Sequence, residues 1–377
     1  MTRKTKTVSK SDSARILIKS TKRLLSNCIN KKGSYNIIFD ACEKFHYFHL
    51  EPIVKSLLPL DNFKITIIKW NGFTEKDKIP GVNYISFHDF WHDWFGLYDI
   101  MLSTELERRP GWFKNGIAIC MFHGAGPKLS YMKTPAINDY DIIFSVGPTT
   151  YNTQIDYVDE NVQVEKIGLP ISDMLINIEN HPVPQPLKFD PLKPTLLYAP
   201  SWSITAEHIS MDTDILTALS SLDDYNVIIR PHPNLLVPKK CNGIDWNKKL
   251  KELENAGIQI SYSRDHSAYE LLPHADILLG DISAVTYEFL VLDRPILLYM
   301  KEGILEAFGA EEMSAPLLNA TTELHSASFL SDALNNIRDN KSEKSMERKE
   351  LLKQTLFNVG HATKTAVDAI SKITPHQ

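Results

Sequence analysis

Three loops of this sequence hold residue types that handle phosphate and protons. The first lies in Ala275 to Met300, ADILLGDISAVTYEFLVLDRPILLYM. A short apolar run ends at Gly280, Asp281 or Ser283 supplies a helix N-cap, and an apolar run resumes at Ile296, which predicts a βαβ unit. In its turn, free backbone N–H groups and the positive end of a helix dipole favour an anion. Asp281 and Ser283 are placed to hold a phosphate there, and Glu288, about one turn on, to reach a sugar hydroxyl. Turns capped by Asp or Ser also occur in every α/β protein for purely structural reasons, so other loops must decide.

The second loop is Arg230-Pro231-His232-Pro233, which follows the strand-like run Asn226 to Ile229. Two prolines stiffen it, and the planar guanidinium fork of Arg230 suits phosphate oxygens, with His232 beside it. The alternative is a proline turn whose arginine makes a surface ion pair. The third loop, His123-Gly124-Ala125-Gly126-Pro127-Lys128, follows the buried run Ile117 to Phe122. A histidine at the C-terminal end of a parallel strand stands where open α/β sheets bind ligands, and it can take a proton. Gly124 lets a substrate approach the backbone, and Lys128 is a candidate on the acceptor side. The third glycine of GxGxxG is missing, so this is no dinucleotide fingerprint, and it is no P-loop.

Parallel sheets must position these loops. Strand-like runs at Tyr35 to Asp40, Phe63 to Trp70, Val82 to Phe87, Tyr98 to Leu102, Asp141 to Val146 and Val164 to Ile167 alternate with other segments, the pattern of a doubly wound sheet. A helix is expected over Phe48 to Leu58. Prolines at 182, 184, 186, 191 and 194 then forbid regular structure. The expected division is a leader at 1–32, a first domain at 33–180, a stiff linker at 181–194 and a second domain at 195–377 that includes charged C-terminal helices. Two domains also fit 377 residues. The expected fold class is α/β, with two facing Rossmann-like domains and a donor site on the second. His88 and His92, with Asp89 and Asp93, have helical spacing but no third ligand. Asp139-Tyr140-Asp141 reads as the start of a strand, so no metal is expected. His46 and His49 read as packed aromatic residues with polar tips.

The net charge is −5, yet residues 1–32 carry +9, which leaves −14 on the remainder. An acidic body excludes general nucleic-acid binding. Within the leader, Ala14, Leu17, Ile18, Thr21, Leu24, Leu25, Cys28 and Ile29 form one stripe and Arg15, Lys19, Lys22 and Arg23 fall outside it. This predicts a basic amphipathic helix, with residues 13–30 suited either to an anionic membrane surface or to packing on the body. No run is long enough to span a bilayer, the N-terminal charge without an apolar core or cleavage site predicts no signal peptide, and Cys28, Cys42, Cys120 and Cys241 have no paired spacing. The expected location is the cytoplasm, peripheral on the inner membrane face, with reduced cysteines.

Four blocks, FHGAGPK, YAPSW, RPHP and GDISAVTYEFLVLDRPILLY, resemble in order and separation the CDP-glycerol glycerophosphotransferases of teichoic-acid and capsule synthesis. The resemblance covers roughly residues 95 to 300. It implies the GT-B arrangement, no metal or cofactor, a CDP-glycerol or similar CDP-polyol donor, and a glycan or lipid-linked acceptor. It further implies that His123 is the general base, that Arg230 and His232 hold the diphosphate, that Asp281 and Ser283 hold phosphate, and that Glu288 binds the ribose. Ala284 stands where the family often has a second serine, Glu288 replaces an aspartate, and GAGPK departs from a GTPLK-like loop. Sugar-nucleotide glycosyltransferases and UDP-sugar 2-epimerases share such a site, and a non-catalytic member of an assembly complex is the remaining alternative.

Overall fold

The computed structural model describes residues 34–91, 98–106, 108–109, 113, 116–126, 132–176, 187–202, 210–255, 258–260, 268–308, 314–340 and 342–373. The leader at 1–32 with its basic amphipathic stretch, the first part of the proline-rich linker, His92 and Lys128 lie outside the described residues.

Thirteen described strands form two sheets in which every pairing is parallel. The first sheet contains β1 (Tyr35–Asp40), β2 (Phe63–Lys69), β3 (Asn83–Ser86), β4 (Ile100–Ser103), β5 (Ile117–Met121), β6 (Ile142–Ser145) and β7 (Gln163–Lys166), in the spatial order 3-2-1-4-5-6-7. The second contains β8 (Thr195–Tyr198), β9 (Asn226–Ile229), β10 (Gln259–Ile260), β11 (Ile277–Gly280), β12 (Ile296–Tyr299) and β13 (Thr322–Leu324), in the order 10-9-8-11-12-13. Each is therefore doubly wound, and its strand order reverses between β1 and β4 in one sheet and between β8 and β11 in the other. Loops leave the C-terminal ends of neighbouring strands in opposite directions at such a point and open a crevice. The buried runs ILLG and ILLY explain why β11 and β12 are central, since strands covered on both faces need apolar residues throughout.

The helix after β1 starts four residues earlier than expected, at Lys44, and runs to Leu57. His46, Tyr47, His49, Leu50, Ile53, Val54 and Leu57 are its buried face, so two histidines belong to the stripe that packs inward. The sheets share an apolar core: Ala125, Val146, Leu169 and Ile171 from the first meet Leu197, Leu278, Ile282 and Phe289 from the second.

Of the C-terminal helices, expected with the second domain, the last returns to the first. Ala366 and Ile370 of the helix Ala362–Ile373 enter the core around Ile37, Phe39, Leu50 and Ile53. Asp173 fixes its start by accepting the N–H groups of Ala362 at 3.1 Å and Thr363 at 2.8 Å. This carboxylate satisfies two of the four N–H groups that a helix start leaves open. Cys42, Cys120 and Cys241 are free thiols. Among the described residues no helix is long and apolar enough to cross a membrane.

Candidate active site

At the β8/β11 crevice, Asp281 is fully buried and joins the two loops. Its Oδ2 accepts the N–H of Ser201 at 2.8 Å and the hydroxyl of Ser210, and its carbonyl accepts the Thr286 hydroxyl at 2.7 Å. A carboxylate offers no donor, and through these bonds Asp281 ties the turn to the β8 loop, while its other oxygen, Oδ1, is buried with no hydrogen-bond partner among the described residues. Ser283 precedes the helix Ala284–Phe289 as its N-cap, half-buried, with its hydroxyl 3.2 Å from that of Thr286.

Glu288 lies at the contact between the two halves. Its carboxyl is buried and accepts the Ala125 N–H of the first-sheet loop at 3.3 Å, a bond between residues 163 positions apart. Burial pushes its pKa up to about 7, against the pull of the Tyr269 hydroxyl and the Ala125 N–H. This side chain joins the two halves. Gly124 and Gly126 allow that contact. A Cβ on Gly124 would sit 3.0 Å from the Ala284 Cβ, so the loop lies directly against the helix start.

Arg230 and His232 follow β9. The Arg230 N–H bonds to the Tyr198 carbonyl at 2.8 Å and the His232 N–H to the Pro200 carbonyl at 3.1 Å, which zips this loop beside the β8 loop. The Arg230 guanidinium donates to the Pro231 carbonyl at 3.0 Å. Burial lowers its pKa to about 10, partly offset by Glu270, so it remains cationic at neutral pH. The His232 Nδ1 accepts the Asn234 N–H at 3.2 Å, so a neutral ring carries its proton on Nε2 and offers a donor there.

His123 has the opposite polarity. Its Nδ1 is 3.1 Å from the Thr104 carbonyl, which can only accept, so Nδ1 bears the proton and Nε2 keeps its lone pair. Glu105 Oε1 lies 3.5 Å from the same Nδ1 and 3.4 Å from His46 Nε2. The His46 and His123 rings are 4.0 Å apart at 37°. Burial first, then nearby His123, His49, Arg108 and His232, drives the His46 pKa far down, and burial with His123 takes His49 to about 3; both rings are neutral. Phe45 lies between the sheets, with its ring centroid 6.3 Å from that of His123 and 6.1 Å from that of His232. The structure thus brings His123, Gly124, His232 and Phe45 to one place, with the Asp281–Ser283 turn and Arg230 on the loops beside it.

Sequence reasoning missed Glu105, Asp40 and Arg108. Asp40 is the last residue of β1 and Glu105 follows the end of β4, at the reversal of the first sheet, and strand order is the signal that would have singled them out. Arg108 grips the buried Asp40 with two bonds of 2.6 Å and lies 3.9 Å from the Phe87 ring centroid. Asp141 does start a strand region, accepting the Ala118 N–H at 2.8 Å.

The family of CDP-Glycerol:Poly(glycerophosphate) glycerophosphotransferases matches residues 136–308, which contain Arg230, His232, Asp281, Ser283 and Glu288. That match covers less than half of the chain. Over 190 residues, 46% of this chain and 45% of the relative, the sequence is 25% identical to the teichoic acid ribitol-phosphate primase of Bacillus spizizenii (strain ATCC 23059 / NRRL B-14472 / W23). Over 139 residues, 36% of this chain and 33% of the relative, it is 27% identical to the teichoic acid glycerol-phosphate primase of Bacillus subtilis (strain 168). The chain thus spans less than half the length of these curated relatives. The solved wall teichoic acid polymerase TagF has the same fold, with a TM-score of 0.65 and 17% identity over 97% of this chain and 98% of that one.

Proposed function

We propose that the protein transfers glycerol phosphate, or a related polyol phosphate, from a CDP-activated donor to a hydroxyl of a cell-surface glycan or lipid-linked acceptor, without metal in the chemical step. The observation that carries this reading is the pair of histidines of opposite polarity, one from each sheet, around Phe45: a lone pair at His123 Nε2 and a donor at His232 Nε2. A transfer reaction needs both, one to take a proton and one to steady a departing anion.

In this mechanism His123 Nε2 removes the proton of the acceptor hydroxyl, and the oxygen attacks the phosphorus that bears the polyol. The bond from that phosphorus to the bridging oxygen breaks, and CMP leaves with the electron pair. The Thr104 carbonyl and Glu105 keep the proton on His123 Nδ1, and Glu105 stabilises the imidazolium once it forms. Arg230, the His232 Nε2–H and the Ser283 turn meet the negative charge of the diphosphate and of the departing CMP. Fixed donors of this kind are typically worth on the order of 10² to 10³ in rate each.

The wider setting follows from the same reading. The CDP moiety sits on the second sheet and the acceptor on the first, with units at 33–180 and 195–377 and the last helix strapping them together. The basic stretch 13–30 holds the protein on the inner, anionic membrane surface, and Lys128 serves the acceptor side. The glycerol-phosphate and ribitol-phosphate primases among the relatives make both polyols candidates for the donor.

Calorimetric titration with CDP-glycerol, CDP-ribitol and UDP-sugars, together with turnover of His123→Ala, tests the proposal. Preferential binding of a cytidine nucleotide is expected, with transfer by His123→Ala reduced by about 10² to 10⁴ and donor affinity kept. Preference for uridine nucleotides, or wild-type turnover in His123→Ala, would overturn it.

A further inference from the structure

The β1/β4 crevice of the first sheet brings together His46, Glu105 and His123, from three separate elements: the helix Lys44–Leu57, the loop after β4 and the loop after β5. One ligand atom from each lies within 4.8 Å of the other two. Two of the separations are tighter, 3.4 Å from His46 Nε2 to Glu105 Oε1 and 3.5 Å from His123 Nδ1 to the same oxygen. An ion with bonds of ~2.1 Å to tetrahedrally placed ligands sets those ligands ~3.4 Å apart. Two imidazoles and one carboxylate are a donor set for zinc-class ions rather than for magnesium, which prefers oxygen alone. The His46 side chain is buried, whereas those of His123 and Glu105 are 29% and 38% exposed, so an ion can enter from the open side and keep a fourth position for water.

We propose that His46, Glu105 and His123 form a site for a divalent transition-metal ion of the zinc class, and that occupation of this site inhibits transfer. The inhibitory part rests on the reading of His123 as the base. A neutral imidazole has one lone pair, and with the proton on Nδ1, bonded to the Thr104 carbonyl, that pair is on Nε2. An ion at Nδ1 takes the lone pair on that side and moves the proton to Nε2. The nitrogen that would accept the acceptor's proton then carries one itself. Glu105 is drawn onto the ion at the same time and no longer stabilises an imidazolium. The ion thus competes with a proton at one nitrogen, and no substrate atom is displaced.

The test is calorimetric titration of the whole chain with zinc chloride in the absence of nucleotide, for the wild type, His46→Ala and Glu105→Gln, with circular dichroism to establish that each variant is folded. The expected result is one ion per chain in the wild type and affinity weaker by at least roughly tenfold in both variants. Absence of binding in the wild type, or equal binding in a folded His46→Ala or Glu105→Gln, overturns the site. Transfer assayed at rising zinc then tests inhibition: activity that persists at zinc concentrations saturating the site overturns the inhibitory role. Zinc binding is read without donor or acceptor, so failure of the transferase reading leaves the site standing, and failure of the site leaves the transferase reading untouched.

Discussion

Glu288→Gln separates the charge of the buried carboxyl from its shape. The amide keeps an oxygen for the Ala125 N–H and removes the ionisation. In the wild type, the folded pKa of about 7 against an ordinary 4.5 means that folding disfavours the charged form. At about 1.4 kcal/mol per pH unit, that difference is roughly 3 kcal/mol, the ceiling of the effect. The sign follows. Below pH 4.5 the carboxyl is protonated whether folded or unfolded, and no cost arises. Between 4.5 and 7 the unfolded chain releases the proton and the folded chain retains it, so wild-type stability falls as pH rises. Above 7 the cost is complete. Urea unfolding of the wild type and the variant, followed by tryptophan fluorescence at pH 5, 6, 7 and 8, reads this as a difference in which other titrating groups cancel. The variant should gain on the wild type as pH rises, towards roughly 3 kcal/mol by pH 8. Parallel stability curves over that range would refute the assignment of Glu288 as a buried acid joining the two halves.

At Gly147, a Cβ would stand 1.8 Å from the Thr355 carbonyl oxygen, a backbone atom that cannot swing aside. Gly147→Ala should therefore loosen the helix Ser345–Thr355 from the first sheet and cost about 3 kcal/mol or more, and an unchanged melting temperature would contradict this. Arg230→Ala should weaken CDP-glycerol binding at least roughly tenfold, with Arg230→Lys recovering only part of the loss because an ammonium lacks the planar fork. Full affinity in the lysine variant, measured by calorimetry, would show that a point charge suffices.

Much of the chain was legible locally. Apolar runs such as YNIIFD and ILLY are strands because only strands buried on both faces carry such continuous runs at that length, and the β9 boundaries, Asn226 to Ile229, were read without error. The Asp281–Ser283 turn, the RPHP loop and His123 could be picked out because glycine, proline and cap residues act on their immediate neighbours. The sequence therefore determined two parallel α/β units and the loops worth watching.

The tertiary structure decided what the side chains in those loops face. Asp281 and Glu288 are buried against Ser201 and Ala125, 80 and 163 residues away, and no local spacing encodes such partners. The same holds for His46 and Glu105, which meet His123 only because β1, β4 and β5 lie side by side. The last helix returned to the first sheet because Ala366 and Ile370 found an open apolar surface there, and chain order gives no hint of that surface. Periodicity and capping act over a few residues and are written in the sequence; burial, polarity of a histidine and the pairing of carboxylates depend on which strands become neighbours.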